Sequence, residues 1–384
     1  MKPSIKLFTI GGIDIGVHYT WIFAFILIAW SLANGQYPVA FPLWSDAQYW
    51  GAGIASSLVL FISVLLHELA HSFMARRKGL PVKGITLFIF GGVSNIGAES
   101  RRAWDEFIIA VVGPLTSIAI GLIFLLLWNK TGPTFDRLST PTQGVIFYSG
   151  LINIAVGVFN LLPGYPLDGG RVLRAIVWGA TGNMRRATNI AADVGRLVAW
   201  AMIGYGLYRV VFAGDVLGGI WMAFIGWFLN GAANSAKREQ ETEYALSGTT
   251  VRDIMQPDPV IVRPDMPVEE LVRDCFIRRG CRAAPVVDAA GRLAGIVSLS
   301  DVRRLGQAEW ASTAVAAVMT RDPLHTVAPG EGVEVTLRFL AEKDINQAIV
   351  VDGGQVVGLI GREGMMRFVR LRRELPLRGP GQEK

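Results

Sequence analysis

Two histidines and a glutamate lie together in an otherwise apolar stretch of this 384-residue chain. They are His67, Glu68 and His71, and residues 51–75 around them are almost all apolar or small. On a helix, positions i and i+4 share a face, so both imidazoles can bind one metal ion while Glu68 stands beside it to activate a water molecule. Ionisable side chains are costly inside a bilayer, so this cluster predicts a function. The chemistry expected is that of a peptidase with one catalytic Zn2+.

A catalytic zinc ion needs a third protein ligand and an open position for water. The other two histidines are poor candidates, because His18 opens the first apolar segment and His325 lies in the polar half of the chain. Asp168 is better placed, in the Pro- and Gly-rich residues 160–171 after the fourth apolar segment. Irregular backbone at membrane depth is tolerated where it lines a protein or water cavity. The alternative is a helix-capping aspartate before a Gly-Gly turn, but a two-histidine site needs a carboxylate, which favours ligation.

The composition is that of a membrane protein with a soluble extension. Hydrophobic residues make up 51% of the chain and charged residues 18%, and the mean hydropathy is +0.39. These values lie on the membrane side of ordinary globular usage. Six apolar segments are predicted as transmembrane helices, roughly 19–33, 52–75, 106–128, 144–162, 194–211 and 216–229. The first lacks a small-residue cleavage site, so we expect it to remain in the mature protein.

Basic residues near the ends of these segments predict the orientation. With a cytoplasmic N-terminus, only Lys130, Arg137 and Arg209 fall outside. Those that fall inside are Lys2, Lys6, Arg76, Arg77, Lys78, Lys83, Arg101, Arg102, Arg171, Arg174, Arg185, Arg186, Lys237 and Arg238. We therefore expect a multi-pass protein of the cell membrane with its N-terminus and C-terminal domain in the cytoplasm. The net charge of +6 is explained by topology and by contact with anionic lipid, and no basic face with interleaved aromatic residues indicates a nucleic-acid partner.

These motifs resemble those of the site-2 protease family of intramembrane zinc metalloproteases. The resemblance rests on residues 67–71 and on residues 160–171 with their Pro-Leu-Asp-Gly-Gly-Arg ending. Further matches lie at residues 16–21 and 90–93, and the likeness covers roughly residues 13–234.

The resemblance implies roles for individual residues. By similarity, His67, His71 and Asp168 are the zinc ligands and Glu68 is the general base and acid, while Asn160 helps to hold or polarise the substrate near the metal. The implied activity is hydrolysis of peptide bonds within or near the transmembrane segments of membrane-anchored regulatory proteins, as in regulated intramembrane proteolysis. A transmembrane protein is then the substrate and partner.

Residues 85–96 alternate apolar side chains and are broken by Gly91 and Gly92. This pattern predicts a re-entrant β-hairpin or an edge strand that pairs with an unwound substrate, with Gly91, Gly92 and Asn95 as the substrate-binding residues. The alternative is a plain amphipathic surface hairpin. The residues alone leave both open, and the family resemblance favours the first.

The soluble part contains an internal repeat. Residues 251–255, 284–288 and 295–298 align with residues 315–319, 348–352 and 358–361. Each copy is predicted as strand, helix, strand, strand, helix, which resembles a tandem pair of CBS domains. The predicted boundaries are a membrane domain at 1–235, a linker at 236–248, CBS domains at 249–306 and 313–371, and a polar tail at 372–384.

The resemblance to CBS domains implies an adenine nucleotide (ATP, ADP or AMP) between the two copies. Ser298 and Asp301 match the family's ribose- and phosphate-binding motif, whereas the second copy has Gly361 and Gly364 at the corresponding positions. One nucleotide site is therefore expected, and it would modulate the membrane domain. The alternative is a ligand-free platform for dimerisation, and a homodimer through the CBS domains is expected.

Three functional classes follow from these features. An intramembrane metalloprotease is favoured. A CBS-regulated transporter or channel is the alternative, although repeated transmembrane halves with broken helices are lacking. An inactive relative is disfavoured by the intact Glu68 and candidate ligands. Cys275 and Cys281 fit neither a CxxC redox pair nor a zinc knuckle, and both are interpreted as ordinary core or surface residues.

Overall fold

The computed structural model of the protein describes residues 5–89, 91–97, 100, 102–131 and 140–375. Two compact units, Met1–Arg238 and Glu239–Lys384, divide the chain. The helices that begin in the first unit are α1 (Thr20–Ser31), α2 (Tyr37–Ala40), α3 (Asp46–Arg77), α4 (Ala103–Lys130), α5 (Pro141–Asn160), α6 (Asp168–Thr181), α7 (Met184–Phe212) and α8 (Val216–Leu246), with a π-helical turn, Leu32–Gln36, between α1 and α2.

The six predicted membrane-spanning segments are confirmed. Within the described ranges, six helical segments are long and apolar enough to cross a membrane, namely Thr20–Ala40, α3, α4, α5, α7 and α8. Their large apolar side chains are widely exposed, among them Leu126, Trp200 and Leu217. Such surfaces are stable against lipid and not against water. The charged run at 236–243 is helical and forms part of α8.

Helix α6 was not predicted. The alternative considered for Asp168 placed a turn at the Gly-Gly pair that follows it, but Gly169 and Gly170 lie in the first turn of α6. A Cβ atom on Gly169 would lie 2.3 Å from the Leu161 carbonyl oxygen, and one on Gly170 would lie 2.3 Å from the carbonyl carbon of Gly164. The two glycines therefore serve the close packing of α6 on the preceding loop instead of a turn.

A four-stranded sheet packs against α3. Its strands are β1 (Ile5–Ile10), β2 (Ile13–Val17), β3 (Val82–Phe88) and β4 (Gly91–Ile96), in the spatial order β1-β2-β3-β4. The β1–β2 and β3–β4 pairs are antiparallel and the β2–β3 pair is parallel. Ile13, Ile15 and Ile85 are buried against Leu69 of α3, which lies between the two histidines of the metal motif. The predicted β3–β4 hairpin is thus present, with β4 at the edge of the sheet.

The second unit is built from two similar halves. Its strands are β5 (Gln256–Pro257), β6 (Ala283–Val287), β7 (Leu293–Ser298), β8 (Thr326–Val327), β9 (Gln347–Asp352) and β10 (Gln355–Gly361). Its helices are α9 (Val251–Ile254), α10 (Val268–Leu271), α11 (Leu299–Val302), α12 (Val315–Val318), α13 (Val333–Glu342) and α14 (Arg362–Glu374), with a π-helical segment at Val272–Ile277 and a 3-10 turn at Gln307–Glu309. The sheets have the orders β5-β10-β9-β8 and β6-β7.

The two halves exchange their opening segments. Val251, at the start of the first repeat, is buried in the core of the second, and Val315, at the start of the second, is buried in the core of the first. Strand β5 of the first repeat likewise pairs with β10 of the second. Each half therefore needs the other to complete its core. Helix α14 includes residues 372–374 of the predicted tail and Leu375 follows its end, whereas residues 376–384 lie outside the described residues.

Candidate metal centre

Three side-chain atoms from α3 and α6 converge in the first unit. The His67 Nε2, His71 Nε2 and Asp168 Oδ2 atoms form a triangle in which each pair is 3.1 Å apart. Both histidines are buried, and the Asp168 side chain is 15% exposed. Within the described part of the chain, this is the group of His, Cys, Asp and Glu side chains that could hold a metal ion.

The triangle fits a zinc ion. Two imidazole nitrogens and a carboxylate oxygen are a zinc donor set, and ligands about 2.0 Å from a tetrahedral ion lie about 3.3 Å from one another. His71 Nδ1 donates to the Ile109 carbonyl oxygen at 2.6 Å, so the Nε2 atom of the neutral ring keeps a lone pair directed at the other two atoms. Electron-rich atoms grouped in a buried site are stabilised by a cation between them.

Helix α4 orients both imidazoles through contacts to their Nδ1 atoms. The Ile109 carbonyl oxygen holds His71, and the Ser117 hydroxyl lies 2.9 Å from His67 Nδ1. A partner on the second ring nitrogen fixes the tautomer and the direction of the ligating nitrogen. Neither partner was predicted, since such contacts depend on the packing of α4 against α3.

Gly113 of α4 leaves the space that the triangle occupies. A Cβ atom at this position would lie 2.1 Å from His71 Nε2 and 2.7 Å from His67 Nε2. Gly113 is buried, and any larger residue would displace these two nitrogens. The Gly-Pro pair inside an apolar segment was an available sequence signal, because both residues are poor helix formers.

Glu68 follows His67 on α3 and lies under the edge strand β4. The Ser94 hydroxyl donates to Glu68 Oε2 at 2.7 Å, and a Cβ atom on Gly92 would lie 2.4 Å from Glu68 Cγ. The side chain of Glu68 is partly exposed. A carboxylate beside two metal-binding imidazoles is suited to transfer protons to and from water.

The other site residues predicted in the membrane unit lie on α5 and β4. Asn160 is the last residue of α5 and is half-buried. Gly91 begins β4 with φ +128°, a conformation that favours glycine. The Asn95 backbone pairs with Gly84 in β3, and the Asn95 side chain lies outside the described residues, as does Phe90.

The second unit holds a cavity of about 530 Å³ between its two halves. Ser298 and Asp301 line it, together with Arg282, Arg303, His325 and Gly361. Ser298 and Asp301 also form a capping box at the start of α11, in which the Ser298 backbone N–H and hydroxyl donate to Asp301 Oδ2 at 2.8 and 2.6 Å. The cavity therefore lies where the repeat predicted a ligand site, although both predicted residues also stabilise a helix end.

The fold and the site together define a membrane-spanning zinc hydrolase with a pair of soluble repeats. The family models agree: Peptidase family M50 matches residues 55–142 and 136–202, and the CBS domain matches residues 251–307 and 315–371.

Several known proteins resemble this chain along most of its length. Rip3 of Mycobacterium tuberculosis is 34% identical in an alignment of 381 positions that covers 96% of this chain and 93% of Rip3. Zinc metalloprotease MJ0392 of Methanocaldococcus jannaschii is 29% identical over 375 residues, 97% of each chain. The solved structure of the site-2 protease from Methanocaldococcus jannaschii is 28% identical, covers 61% of this chain and 94% of its own, and has a TM-score of 0.43.

The chain belongs to Peptidase family M50, the site-2 proteases, and carries a pair of CBS domains. It is a zinc metalloprotease and a multi-pass membrane protein that acts on protein substrates. The resemblance seen in the sequence is thereby confirmed, and the transporter alternative is set aside.

Proposed function

We propose that the protein cleaves membrane-anchored regulatory proteins within or near their transmembrane segments, in regulated intramembrane proteolysis. The observation that carries this proposal is the place of Glu68 on a helix apolar enough to span a membrane, next to the ligand His67 and under the edge strand β4. A substrate segment that reaches this site must come from the membrane or its surface.

Each residue of the site is assigned one part of the reaction. His67, His71 and Asp168 would hold the zinc ion, which when bound polarises the peptide carbonyl and lowers the pKa of water. Glu68 would accept a proton from the attacking water and return it to the leaving amine. Asn160, at the end of α5, is proposed to hold the substrate backbone near this site.

Substrate docking is assigned to β4. A transmembrane helix satisfies its own backbone hydrogen bonds, so it must unwind before it can be cleaved. An edge strand offers backbone groups to such an extended segment, and the backbone of Gly91 and Gly92 is proposed to take part in this pairing. Because Gly92 has no side chain, the strand can run close over Glu68. Asn95, further along the strand, is proposed to contact the same segment.

Cleavage and metal binding can be tested together. We would incubate the purified protein in detergent with a generic transmembrane substrate, and quantify bound zinc in wild type, Glu68→Gln and Asp168→Asn. Asp193→Asn, a surface carboxylate of α7 paired with Arg196, is the matched control. The proposal expects zinc and cleavage in wild type and control, zinc without cleavage in Glu68→Gln, and little zinc in Asp168→Asn. Cleavage that survives in Glu68→Gln would contradict the assigned role.

The orientation is proposed from the distribution of basic residues, with the N-terminus and the CBS domains in the cytoplasm and the protein in the cell membrane. A protease added outside intact spheroplasts should leave a C-terminal tag uncut, and should remove it after lysis. Removal before lysis would reverse the proposed orientation.

We further propose that the cavity between the CBS repeats binds one adenine nucleotide and that this modulates cleavage. Arg282 and Arg303 provide positive charge for phosphates, and Asp301 Oδ1 is proposed to accept from ribose hydroxyls, since both bonds within the cap use Oδ2. Equal cleavage rates with and without ATP, ADP or AMP would count against modulation.

The capping role of Asp301 calls for a matched control. Thr250 and Asp253 form the same capping box in the same unit, with the Thr250 N–H and hydroxyl each 2.8 Å from Asp253 Oδ2. Both Asp301→Asn and Asp253→Asn should weaken a helix cap, and to a similar extent, because each aspartate is the third helical residue of its capping box. Only Asp301→Asn should weaken nucleotide binding in equilibrium dialysis of the full chain. Equal effects of the two variants would assign Asp301 to the cap alone.

A homodimer through the CBS domains remains part of the proposal. The mass of the full chain in detergent, measured by light scattering with the detergent contribution subtracted, should be that of two copies. A monomeric mass across the accessible concentrations would contradict it.

A further inference from the structure

Strand β4 crosses directly over the general base. Gly92 lies so close that a Cβ atom there would be 2.4 Å from Glu68 Cγ and 3.3 Å from Glu68 Oε1. Side chains alternate along a strand, so Ser94, two residues later, faces the same side. Its hydroxyl donates to Glu68 Oε2 at 2.7 Å. One strand therefore both covers the Glu68 stem and holds one of its carboxylate oxygens.

A second serine fixes the direction of this hydrogen bond. Ser72, one turn after Glu68 on α3, is buried, and its hydroxyl donates to the Ser94 oxygen at 3.1 Å. A hydroxyl has one proton to donate, so Ser94 accepts from Ser72 and gives its own proton to Glu68. Hydrogen bonds arranged in series strengthen one another. The order Ser72, Ser94, Glu68 thus ties the carboxylate to β4.

We propose that Ser94 is a positioning residue that orients the Glu68 carboxylate for proton transfer. With Oε2 held by Ser94, Oε1 is the atom that takes the proton from water. A glutamate on a helix has several rotamers, and fixing the productive one lowers the entropic part of the barrier. This inference rests on the proposed function, in which β4 pairs with the substrate. The strand that binds the substrate then also orients the Glu68 carboxylate.

The test compares Ser94→Ala, Ser94→Thr and Ser63→Ala by the kinetics of transmembrane-substrate cleavage and by zinc content. Ser63 is a matched control because it lies on α3, the helix that carries Glu68, is buried, and donates within that helix to the Val59 carbonyl oxygen at 2.9 Å. We expect Ser94→Ala to lower kcat about ten- to a hundredfold with KM changed by less than about threefold, because the lost interaction acts on the base and not on the substrate. Ser94→Thr, which keeps the hydroxyl, should restore most of kcat, and zinc content should stay that of wild type in all three.

Four results would overturn the inference. A wild-type kcat in Ser94→Ala, with Glu68→Gln inactive, would remove the role of Ser94 and leave the proposed function standing. A raised KM at unchanged kcat would make Ser94 a substrate contact. A loss of zinc in Ser94→Ala would make the serine a structural support of the metal centre. Cleavage absent from zinc-loaded wild type on all transmembrane substrates would end the proposed function and the inference with it.

Discussion

Arg174 of α6 and Glu106 of α4 form an ion pair inside the protein. Glu106 is fully buried and Arg174 is 7% exposed, and the Arg174 Nε–H donates to Glu106 Oε1 at 2.6 Å. The Arg174 guanidinium also lies over the Tyr165 ring, 5.5 Å from its centroid. Since Tyr165 precedes and Arg174 follows Asp168, the pair anchors the segment that carries this proposed metal ligand to α4. The same helix orients the other two proposed ligands, His67 and His71.

Breaking this pair should destabilise the protein strongly. Arg174→Met leaves a buried carboxylate without its cation, and such changes cost about 3–5 kcal/mol. The double variant Arg174→Met with Glu106→Met should recover most of the loss, because an apolar pair of similar volume needs no desolvation of charge. The free energy of unfolding in detergent, followed by tryptophan fluorescence, measures both.

The exposed pair of Arg196 and Asp193 provides the control for that experiment. Their contact of 2.6 Å joins side chains that are 40% and 50% exposed. Arg196→Met should cost less than about 1 kcal/mol. Equal losses in Arg174→Met and Arg196→Met would contradict a buried anchoring pair.

Gly113→Ala should abolish metal binding. The added methyl group would lie 2.1 Å from His71 Nε2, and neither ring can swing away while Ile109 and Ser117 hold the opposite nitrogens. Bound zinc, quantified after purification, should fall well below one ion per chain. Gly204→Ala in α7 is the control, because nothing lies within 4 Å of its Cβ position. A full complement of zinc in Gly113→Ala would show that the triangle is not the metal site.

Ser117→Ala should weaken zinc binding without removing a ligand. The Ser117 hydroxyl lies 2.9 Å from His67 Nδ1 and sets the direction of the ring. Loss of such a partner costs about ten- to a hundredfold in metal affinity. Competition with a chelator of known affinity gives the change. Thr116→Ala removes a neighbouring hydroxyl that donates within its own helix to the Val112 carbonyl oxygen at 2.8 Å, and it should leave the affinity unaltered.

The predictable part of the site is the part encoded within one element. His67, Glu68 and His71 were found because their spacing has meaning on a single helix, which α3 confirms. Asp168 required topology and family resemblance, since about a hundred residues separate it from His71. The contributions of α4 are tertiary. The Gly-Pro pair at residues 113–114 was a local signal, but nothing in the sequence indicates that Gly113 lies against the two histidine nitrogens or that Ser117 holds His67.

Two features of the structure were not predicted. Arg174 was counted with the cytoplasmic basic residues. Nothing in the local sequence indicates that it forms a buried ion pair with Glu106. The β1–β2 hairpin was overlooked, although Gly11 and Gly12 between two alternating apolar runs are a hairpin signal. Both glycines have positive φ, of 55° and 77°, as a tight turn requires.

The two cysteines should differ in reactivity. Burial, with a contribution from neighbouring Cys281, raises the pKa of Cys275 to about 12, so almost none of its thiolate exists near neutral pH. Cys275 is 1% exposed, whereas Cys281 is partly exposed. Under native conditions, iodoacetamide should modify Cys281 first, and Cys275 should react only after unfolding, as peptide mass spectrometry can follow. Cys281→Ser should therefore show no rapid labelling, and fast modification of Cys275 in that variant would contradict its place in the core of the first repeat.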